Sequence, residues 1–472
     1  MTALRGPAPH KSCPAIAALP PGVFHTGPHA VERARRESAR PADHDDGSNA
    51  FFAVAAVAGL FVLAARRNRR WLLTGPAAAA VVTLAVVGLA AVVVELVWRP
   101  FPDPLPKIVY VWSGAAVLAL AMLIGRYFVR RRDRRRPLVV TGLVLTAVVV
   151  CICAAGGINA QFDAYPTVRA ALGISNYRTV PFDASLAPQP ESDGGAPNLE
   201  NWTPPPDLPA TGAVTAATVP GAVSGFSARE ARIYLPPAYF ATPRPDLPVL
   251  VLLAGQPGST EDWLVGGKLT RTMDAYAAGH RGLAPVVVLA DGTGGQFANP
   301  LCVDSHLGNA ATYLAVDVPA WVRSNLQVNQ DPRAWAVGGL SYGGTCALQL
   351  AVTRPDVYPT FLDISGQAEP TLGDRDTTIR DVFGGDADAF ARNNPADLLA
   401  KNRYPDSAGA FVVGSSDNDF RGGIEQLAAA AKAAGMDVHL TEVPGAHDFS
   451  VWSAGLEKEV PWLCERLGLG PA

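Results

Sequence analysis

The sequence predicts an α-helical membrane anchor followed by an α/β domain whose sheet is mostly parallel, with helices on both faces. Three observations predict this organisation. Four long apolar runs occupy the first third of the 472 residues, strand-like and helix-like segments alternate after residue 211, and a G-x-S-x-G motif lies at one strand-to-helix junction. At roughly 100–200 residues per domain, the chain has room for more than one unit.

The charge of the chain is unevenly distributed. The formal net charge is -3, yet residues 1–158 carry 19 Lys and Arg against 8 Asp and Glu, whereas the remainder carries 20 against 34. Because nucleic-acid binding needs clustered Lys and Arg, the acidic second part argues against a nucleic-acid partner. Six cysteines are too few for a small scaffold held by disulfides.

Residues 47–158 predict a four-helix membrane anchor. The apolar runs are Gly47–Ala65, Trp71–Trp98, Ile108–Gly125 and Leu138–Ile158. Each reaches or approaches the roughly 20 residues that a helix needs to cross the hydrocarbon core of a bilayer. Glu95 is the one charged residue inside these runs. Since it lies close to Trp98, we expect it at the membrane interface, where it can reach the headgroups.

Arginine-rich loops predict the orientation of the anchor. Four arginines fill residues 66–70 and seven fill residues 126–136, whereas the second loop holds only Arg99 and Lys107. Since loops rich in Lys and Arg stay in the cytoplasm, the first and third loops are expected to face inward. Everything after Ile158 is then extracytoplasmic. Four arginines within residues 33–40 disagree with this orientation, but the two loops outnumber them.

Two segments lack the periodicity of regular structure. The Ala/Pro-rich residues 1–46 predict a disordered N-terminal segment, and a misassigned start would place it outside the native product. Residues 159–211 are rich in Pro, Gly and polar residues, which predicts a linker, either a tether or a surface wrap. Within the linker, Tyr165–Leu172 is compatible with a short helix near the membrane.

Residues 212–472 predict the α/β domain. Continuous apolar runs such as Val249–Leu253 are typical of parallel strands covered on both faces, and alternation of strands with helices favours a parallel sheet. The predicted strands are Gly212–Val219, Glu230–Leu235, Val249–Leu253, Val286–Ala290, Ala334–Gly338, Thr360–Ile364, Gly409–Val413 and Val438–Val443. The predicted helices lie near Glu261–Ala278, Ala311–Asn325, Tyr342–Arg354, Gly423–Gly435 and Ser450–Leu467. Residues 366–402 interrupt the alternation and predict an inserted cap.

A candidate nucleophile lies between the fifth strand and the helix that follows it. The motif runs from Gly339 through Ser341 to Gly343. In such a motif the serine occupies a strained turn, and the flanking glycines let neighbouring backbone approach without a Cβ clash. We therefore expect Ser341 to stand exposed at the carboxyl edge of the sheet.

A serine hydroxyl needs a base that is itself oriented by an acid, and this motif predicts the chain order serine, acid, histidine. Of the two histidines after Ser341, His439 lies inside a predicted strand, whereas His447 follows the last strand in a Gly-containing loop. We expect His447 to be the base. Asp417, after the penultimate strand, is the preferred acid; Asp419 and Asp363 remain alternatives.

An acyl-transfer reaction also needs two N–H donors that face the oxyanion of the tetrahedral intermediate. The amide of Tyr342, next to the nucleophile, is one candidate. The other is expected from the loop after Val249–Leu253, where Pro257 has no N–H and Gln256 is therefore preferred.

Other features of the α/β domain carry weaker signals. Asp291–Gly295 lacks the lysine of a phosphate-binding loop, and Cys302, Asp304 and His306 have no second cluster that would complete a metal site. No cofactor or metal is implied. Cys302 and Cys346 could form a disulfide outside the cytoplasm.

At this point the chain resembles the esterase branch of the α/β-hydrolases, which includes esterase D and the secreted mycolyltransferases of actinobacteria. The resemblance covers roughly Gly212–Leu467 and rests on four segments. These are Ala231–Pro237, Ala254–Gln256, Gly339–Gly344 and Gly445–Phe449. The resemblance implies that Ser341 and His447 are nucleophile and base, and that Gln256 and Tyr342 donate to the oxyanion. The mycolyltransferases have a glutamate as the acid and are freely secreted, whereas this chain offers Asp417 and an anchor.

These observations predict a membrane-anchored, extracytoplasmic serine esterase that cleaves a lipid or cell-envelope ester through an acyl-enzyme. Confinement near the bilayer would raise its encounter with lipid-borne esters. Two alternatives remain open. The same machinery could transfer the acyl group to a sugar or lipid hydroxyl, or the domain could be a non-catalytic envelope interaction module. The expected partners are the ester and the lipid bilayer, and the oligomeric state stays open.

Overall fold

The computed structural model describes residues 45–66, 68–101, 103–130, 137–189, 196–197 and 199–470. The predicted disordered segment 1–46 therefore lies, except for its last two residues, outside the described part of the chain. From Asn49 onward, the described residues form one compact unit that contains both the apolar helices and the α/β domain.

Four long helices lie in residues 45–162 of the described chain: α1 (Asp45–Ala64), α2 (Arg69–Val92, continued by a π-helical turn Val93–Trp98), α3 (Lys107–Arg130) and α4 (Pro137–Phe162). Among the described residues, three segments are long and apolar enough to cross a membrane, namely Arg69–Trp98, Lys107–Phe128 and Pro137–Phe162. The expectation of four spans is wrong by this criterion. The first helix begins with polar residues, so its apolar part, Asn49–Ala64, is shorter than a bilayer requires.

Small residues let these helices approach closely. A Cβ at Gly157 of α4 would overlap the indole of Trp112 on α3, and one at Gly75 or Gly125 would meet Trp71. Arg126 of α3 is buried, and its Nη1 donates to the carbonyl oxygens at the end of α1, those of Val62, Leu63 and Ala65. Without water to satisfy exposed backbone, such close glycine contacts and shared carbonyls are typical of helices packed within a bilayer.

Glu95 fixes the connection between α2 and α3. Its Oε1 accepts hydrogen bonds from the backbone N–H of Leu105 at 3.1 Å and from the hydroxyl of Tyr110 at 2.6 Å. The carboxylate thus ties the end of α2 to the start of α3. Glu95 therefore has partners within the protein, and these hold the end of the connection next to α3.

The α/β domain is built on one eight-stranded sheet. The strands are β1 (Ala213–Ala217), β2 (Ala231–Leu235), β3 (Val249–Leu253), β4 (Val286–Ala290), β7 (Trp335–Leu340), β8 (Thr360–Ile364), β9 (Ala408–Gly414) and β10 (Asp437–Val443), and a separate two-stranded ribbon pairs β5 (Asp304–Ser305) with β6 (Gly308–Asn309). The strand order is β1-β2-β4-β3-β7-β8-β9-β10. From β4 to β10 neighbouring strands are parallel, whereas β2 runs antiparallel to both of its neighbours, β1 and β4.

Burial shows that helices cover both faces of this sheet. Every residue of β3 and β7 is buried, and successive strand residues point to opposite faces. The covering helices are α6 (Asp262–Val265), α7 (Leu269–Gly279), α8 (Ala310–Thr312, joined by a π-helical turn Tyr313–Asp317 to α9), α9 (Val318–Asn325), α10 (Tyr342–Thr353), α14 (Arg421–Ala433) and α15 (Phe449–Arg466). The predicted α/β class is confirmed.

Three short helices fill the region predicted as a cap: α11 (Arg375–Val382), α12 (Ala387–Ala391) and α13 (Pro395–Lys401). The linker carries one four-residue helix, α5 (Val168–Ala171), and then runs along the α/β domain. The buried guanidinium of Arg244 donates to the carbonyl oxygens of residues 185–187, and Leu186 lies in the main core. Val180 N–H donates to Val214 O of β1 at 3.0 Å. The linker is thus bound to the domain surface.

The contact between Gly157 and Trp112 generates a stability prediction. We expect Gly157→Ala to lower the unfolding midpoint of the detergent-solubilised protein, because overpacking costs about 1–3 kcal/mol. Gly142→Ala on the same helix is the matched control, since a Cβ there meets nothing within 4 Å. Its midpoint should stay the same or rise slightly, as alanine favours a helix over glycine. Equal midpoints for the two variants would contradict the packing described here.

Candidate active site

Ser341 lies on the tight turn between β7 and α10. Its backbone has φ 51° and ψ -120°, a strained conformation for a residue with a side chain. The turn is possible because a Cβ at Gly339 would overlap the backbone of Gly343, and one at Gly343 would overlap the carbonyl of Leu253. Ser341 N–H donates to Ile364 O at 2.8 Å, which ties the turn to β8. The hydroxyl therefore projects at the carboxyl edge of the sheet.

His447 joins Ser341 to Asp417. Its Nε2 lies 3.0 Å from Ser341 Oγ, and its Nδ1 lies 3.0 Å from Asp417 Oδ2. The carboxylate of Asp417 is almost completely buried, whereas the imidazole remains about a quarter exposed, with 2% and 27% of the side chains accessible. A base that reaches the hydroxyl on one side and a buried acid on the other has the geometry of an activated serine nucleophile.

Two aromatic rings hold the imidazole in this position. Phe420 stacks on His447 with ring centroids 3.9 Å apart, and Trp452 contacts it edge-on at 5.1 Å. Phe420 begins the segment leading into α14, and its N–H donates to Asp417 Oδ1 at 3.3 Å. The same short segment therefore positions both the acid and one face of the base.

The alternative acids and the second histidine lie elsewhere. Asp419 is exposed. Asp363 is fully buried beneath the serine turn, where its Oδ1 accepts from Gly366 N–H at 2.9 Å. His439 lies on the edge strand β10 and pairs with Glu459 through Nε2 at 2.7 Å. Of the three predicted acids, the structure brings only Asp417 into hydrogen-bond contact with His447.

The predicted oxyanion residues flank the serine. Tyr342 is the first residue of α10, and N–H groups in the first turn of a helix have no intrahelical acceptor. Across the turn, Gly255 lies so close that a Cβ there would meet Leu340. The predicted oxyanion donor of Gln256 is its backbone N–H, and its side chain has other partners. Its Nε2 donates to Pro100 O at 2.9 Å and to Phe297 O at 3.0 Å.

Arg229 supports the loop that carries Gln256. Its guanidinium donates to Gly258 O at 2.9 Å and forms a two-point ion pair with Asp291. Burial alone would raise the pKa of Asp291, but the hydrogen bonds and charge of Arg229 hold that pKa below its usual range. The Asp291 carboxylate therefore pairs with Arg229 and helps to position two loops. The sequence analysis did not identify Arg229.

A disulfide and the ring of Tyr342 brace the other side of the site. Cys302 and Cys346 are joined, with Cα atoms 5.4 Å apart, which links the loop after β4 to α10. Tyr342 Oη accepts from Cys302 N–H at 2.9 Å and donates to Gly292 O at 3.1 Å. Within the described residues, no three His, Cys, Asp or Glu side chains are grouped as a metal site.

The connection between α2 and α3, residues 99–101 and 103–106, also reaches this site. Besides the contact of Pro100 with Gln256, Asp103 Oδ2 accepts from Gln367 Nε2 at 3.2 Å. Sequence reasoning missed this segment because its partners lie 156 and 264 residues away along the chain. The one available signal was an acidic residue inside a proline-rich connection beside a tryptophan.

A groove of about 940 Å³ lies between the linker and the α/β domain. One wall is the linker segment that follows α4, including Tyr165 and Arg169; the other includes Gly258, Lys268 and Phe449. Because Gly258 follows the predicted oxyanion loop and Phe449 follows the histidine loop, the groove adjoins the place where an ester would react.

The sheet, the serine turn and the ordered histidine define an α/β-hydrolase. The sequence matches a family described as "Putative esterase" over residues 227–463. It is also 39% identical over 416 residues to an uncharacterized protein of Corynebacterium glutamicum, which covers 86% of this chain and 92% of that protein. The chain belongs to this esterase family and is an ester-hydrolysing enzyme. The predicted family and enzyme class are confirmed, and the reading as a non-catalytic module is set aside.

Solved structures of esterases are similar to the α/β domain. A ferulic acid esterase is 18% identical with a TM-score of 0.49, and the alignment covers 55% of this chain and 99% of that one. An S-formylglutathione hydrolase from Agrobacterium tumefaciens is 18% identical with a TM-score of 0.46, covering 55% and 97% respectively.

The buried carboxyl of Asp363 generates a pH prediction. Burial raises its pKa from 3.8 to about 7. Between these two values the folded state keeps a proton that the unfolded chain has lost. The contribution of Asp363 to the free energy of unfolding is therefore fully present below about pH 4 and is lost as the pH rises through about 7. We expect Asp363→Asn, which cannot ionise, to flatten this decline by up to about 4 kcal/mol between pH 4 and 8.

Unfolding midpoints of the purified protein measured across pH 4–8 test this expectation. Asp437→Asn is the control, because Asp437 is exposed at the start of β10, and its curve should run parallel to that of the wild type. A parallel curve for Asp363→Asn as well would show that Asp363 ionises normally in the folded protein.

Proposed function

We propose that this protein is a membrane-anchored extracytoplasmic serine esterase that hydrolyses a lipid-borne or envelope-linked carboxylic ester through an acyl-enzyme. In this proposal Ser341 is the nucleophile, His447 the base and Asp417 the orienting acid. The observation that carries the proposal is the single imidazole placed 3.0 Å from both the hydroxyl and the buried carboxylate. Residues 47–158 would serve as anchor, 159–211 as linker and 212–472 as catalytic domain.

The first half of the reaction forms the acyl-enzyme. His447 Nε2 takes the proton from Ser341 as Oγ attacks the ester carbonyl, and Asp417 stabilises the imidazolium through Nδ1. The resulting oxyanion is stabilised by the backbone N–H groups of Tyr342 and Gln256. The tetrahedral intermediate collapses when the C–O bond to the alcohol breaks, and His447 gives its proton to the departing alkoxide.

The second half regenerates the serine. Water donates a proton to His447 Nε2 and its oxygen attacks the acyl carbonyl, which forms a second oxyanion at the same donors. Collapse of this intermediate breaks the bond to Ser341 Oγ and releases the carboxylic acid, while the imidazolium returns its proton to the serine. A sugar or lipid hydroxyl in place of water would make the same machinery an acyltransferase.

Exposed apolar side chains near the anchor support a substrate held in the bilayer. Most of Leu84 and Leu138 on the apolar helices is exposed, as expected of side chains that face lipid. Tyr165, Val168 and Leu172, just after α4, are also at least half exposed. This segment forms one wall of the groove whose other wall includes Gly258 and Phe449. An ester that remains in the membrane could therefore reach the groove without crossing open water.

The nucleophile assignment predicts a covalent label. A fluorophosphonate probe should label the wild type at Ser341 and leave Ser341→Ala unlabelled. Ser341→Ala and His447→Ala should each lower the hydrolysis of a p-nitrophenyl ester by about three orders of magnitude or more, because such residues act as a unit. An unlabelled wild type, or equal labelling of the alanine variant, would refute the proposed function.

The acid assignment has a matched pair of variants. Asp417→Asn should lower turnover by about 10²–10⁴-fold, because the imidazole loses its orienting partner. Asp419→Asn, two residues away and exposed, should stay within a few-fold of the wild type. A larger loss for the variant at 419 would reverse the assignment. In the same assays, analysis of products with an added alcohol distinguishes free acid from acylated acceptor.

The proposed side of the membrane predicts the behaviour of reporter fusions. Alkaline phosphatase, which is active only outside the cytoplasm, should be active when fused after Phe162 at the end of α4. The same enzyme fused after Arg130 at the end of α3 should be inactive, since arginine-rich loops stay inside. The reverse pattern would place the esterase domain in the cytoplasm.

A further inference from the structure

The connection between the second and third apolar segments, residues 99–101 and 103–106, contacts loops around the esterase site. Glu95 fixes its base by accepting from Leu105 N–H and Tyr110 Oη. On its outer side, Phe297 packs between Trp98 and Phe101, with ring centroids 5.5 Å and 6.2 Å away. Specific contacts therefore hold both the end of this connection next to α3 and the side that faces Phe297.

Two glutamines attach this connection to the loops around Ser341. Gln256, on the predicted oxyanion loop, donates to Pro100 O at 2.9 Å. Gln367 donates to Asp103 Oδ2 at 3.2 Å, and its own N–H donates to Thr345 Oγ1 in the first turn of α10 at 2.8 Å. The connection therefore bridges the oxyanion loop and the helix that starts at the nucleophile.

Asp103 is the ionisable group that this connection brings to the site. Asp103 is exposed as a residue, so a bound substrate can approach it. The protein around its carboxyl nevertheless removes part of its solvent and raises its pKa above the ordinary value, while the hydrogen bond from Gln367 and the charge of His447 oppose that rise. The charges of Asp419 and Asp417 also raise the pKa of Asp103. Asp103 therefore shares one electrostatic environment with the imidazole.

We propose that residues 99–101 and 103–106 form one wall of the active site and that Asp103 is a specificity-determining residue, which disfavours esters with a negative charge near the scissile carbonyl and favours those with a positive one. This inference rests on the proposed function, because it assumes that the ester reacts at Ser341. The membrane anchor would then be part of the substrate site as well as a tether.

The expected effect is moderate because the carboxylate is solvated. Two unit charges several ångströms apart near a protein surface interact by enough to change kcat/KM by about 3- to 10-fold, and salt screens part of this. The effect has opposite signs for anionic and cationic substrates. A variant that merely disturbed the fold of the connection would change both substrates in the same direction.

The experiment uses the full chain in detergent micelles at pH 8 and three p-nitrophenyl esters with a four-carbon acyl group: butyrate, hemisuccinate and 4-trimethylammoniobutyrate. For the wild type we expect kcat/KM to fall in the order cationic, neutral, anionic. Asp103→Asn should reduce the cationic-to-anionic ratio by about 3- to 10-fold, whereas Asp103→Glu should retain it. Asp437→Asn, at the exposed start of β10, removes one negative charge far from the site and should leave the ratio unchanged.

Three results would overturn the inference while leaving the esterase intact. These are an unchanged ratio in Asp103→Asn that still takes the fluorophosphonate label, an equal drop in Asp437→Asn, and a wild type that hydrolyses the anionic ester as fast as the cationic one. The last result does not depend on the folding of any variant. A wild type that neither takes the label nor hydrolyses any of the three esters would instead refute the proposed function.

Discussion

The backbone strain at Ser341 is the constraint on which the rest of the site depends. A side chain at positive φ is tolerated there because glycines at 339 and 343 let β7, α10 and the end of β3 come into near contact. Strain of this kind costs of order 1–3 kcal/mol and persists only when packing determines it. Here the packing is the fully buried centre of the sheet, with β3 on one side of β7 and β8 on the other. The hydroxyl is thus presented by the buried centre of the sheet.

The groups that act on the hydroxyl come from less regular segments, each held by its own contacts. His447 lies between two aromatic rings, and Asp417 is fixed by the turn that leads into α14. The predicted oxyanion loop is braced by Arg229 through Gly258. This division places a rigid nucleophile at the sheet and lets the surrounding loops determine what can approach it, which is how this fold accommodates different substrates.

Much of the fold was predictable because its central strands are uninterrupted apolar runs. Val249–Leu253, Val286–Ala290 and Thr360–Ile364 were predicted to the residue, since full burial on both faces leaves no ambiguity in where the run ends. The helix predicted near Glu261–Ala278 is instead two helices, separated at Gly266 and Gly267, where a Cβ would overlap Phe449 and Trp263. Tertiary packing, which local periodicity does not contain, decided that break.

The site was predictable as far as chain order and strand ends specify it. Ser341, Asp417 and His447 were each placed after a particular strand, and parallel strands bring those ends to one edge of the sheet. Asp103 could not be found in this way, because it belongs to the connection between membrane helices and meets Gln367 across 264 residues. Such a contact, between a connection of apolar helices and a loop of the α/β domain, leaves no periodic pattern in the sequence of either segment.

The attachment of the linker to the α/β domain affects where the chain can be truncated. The guanidinium of Arg244 is buried and relies on the carbonyl oxygens of residues 185–187. A fragment starting at residue 212, the boundary suggested by composition, would remove those three acceptors and leave Arg244 the carbonyl oxygen of Tyr239. It would also lose the carbonyl oxygen of Arg178, which accepts from Val214 N–H on β1, whereas a fragment that begins before residue 178 keeps all of these contacts.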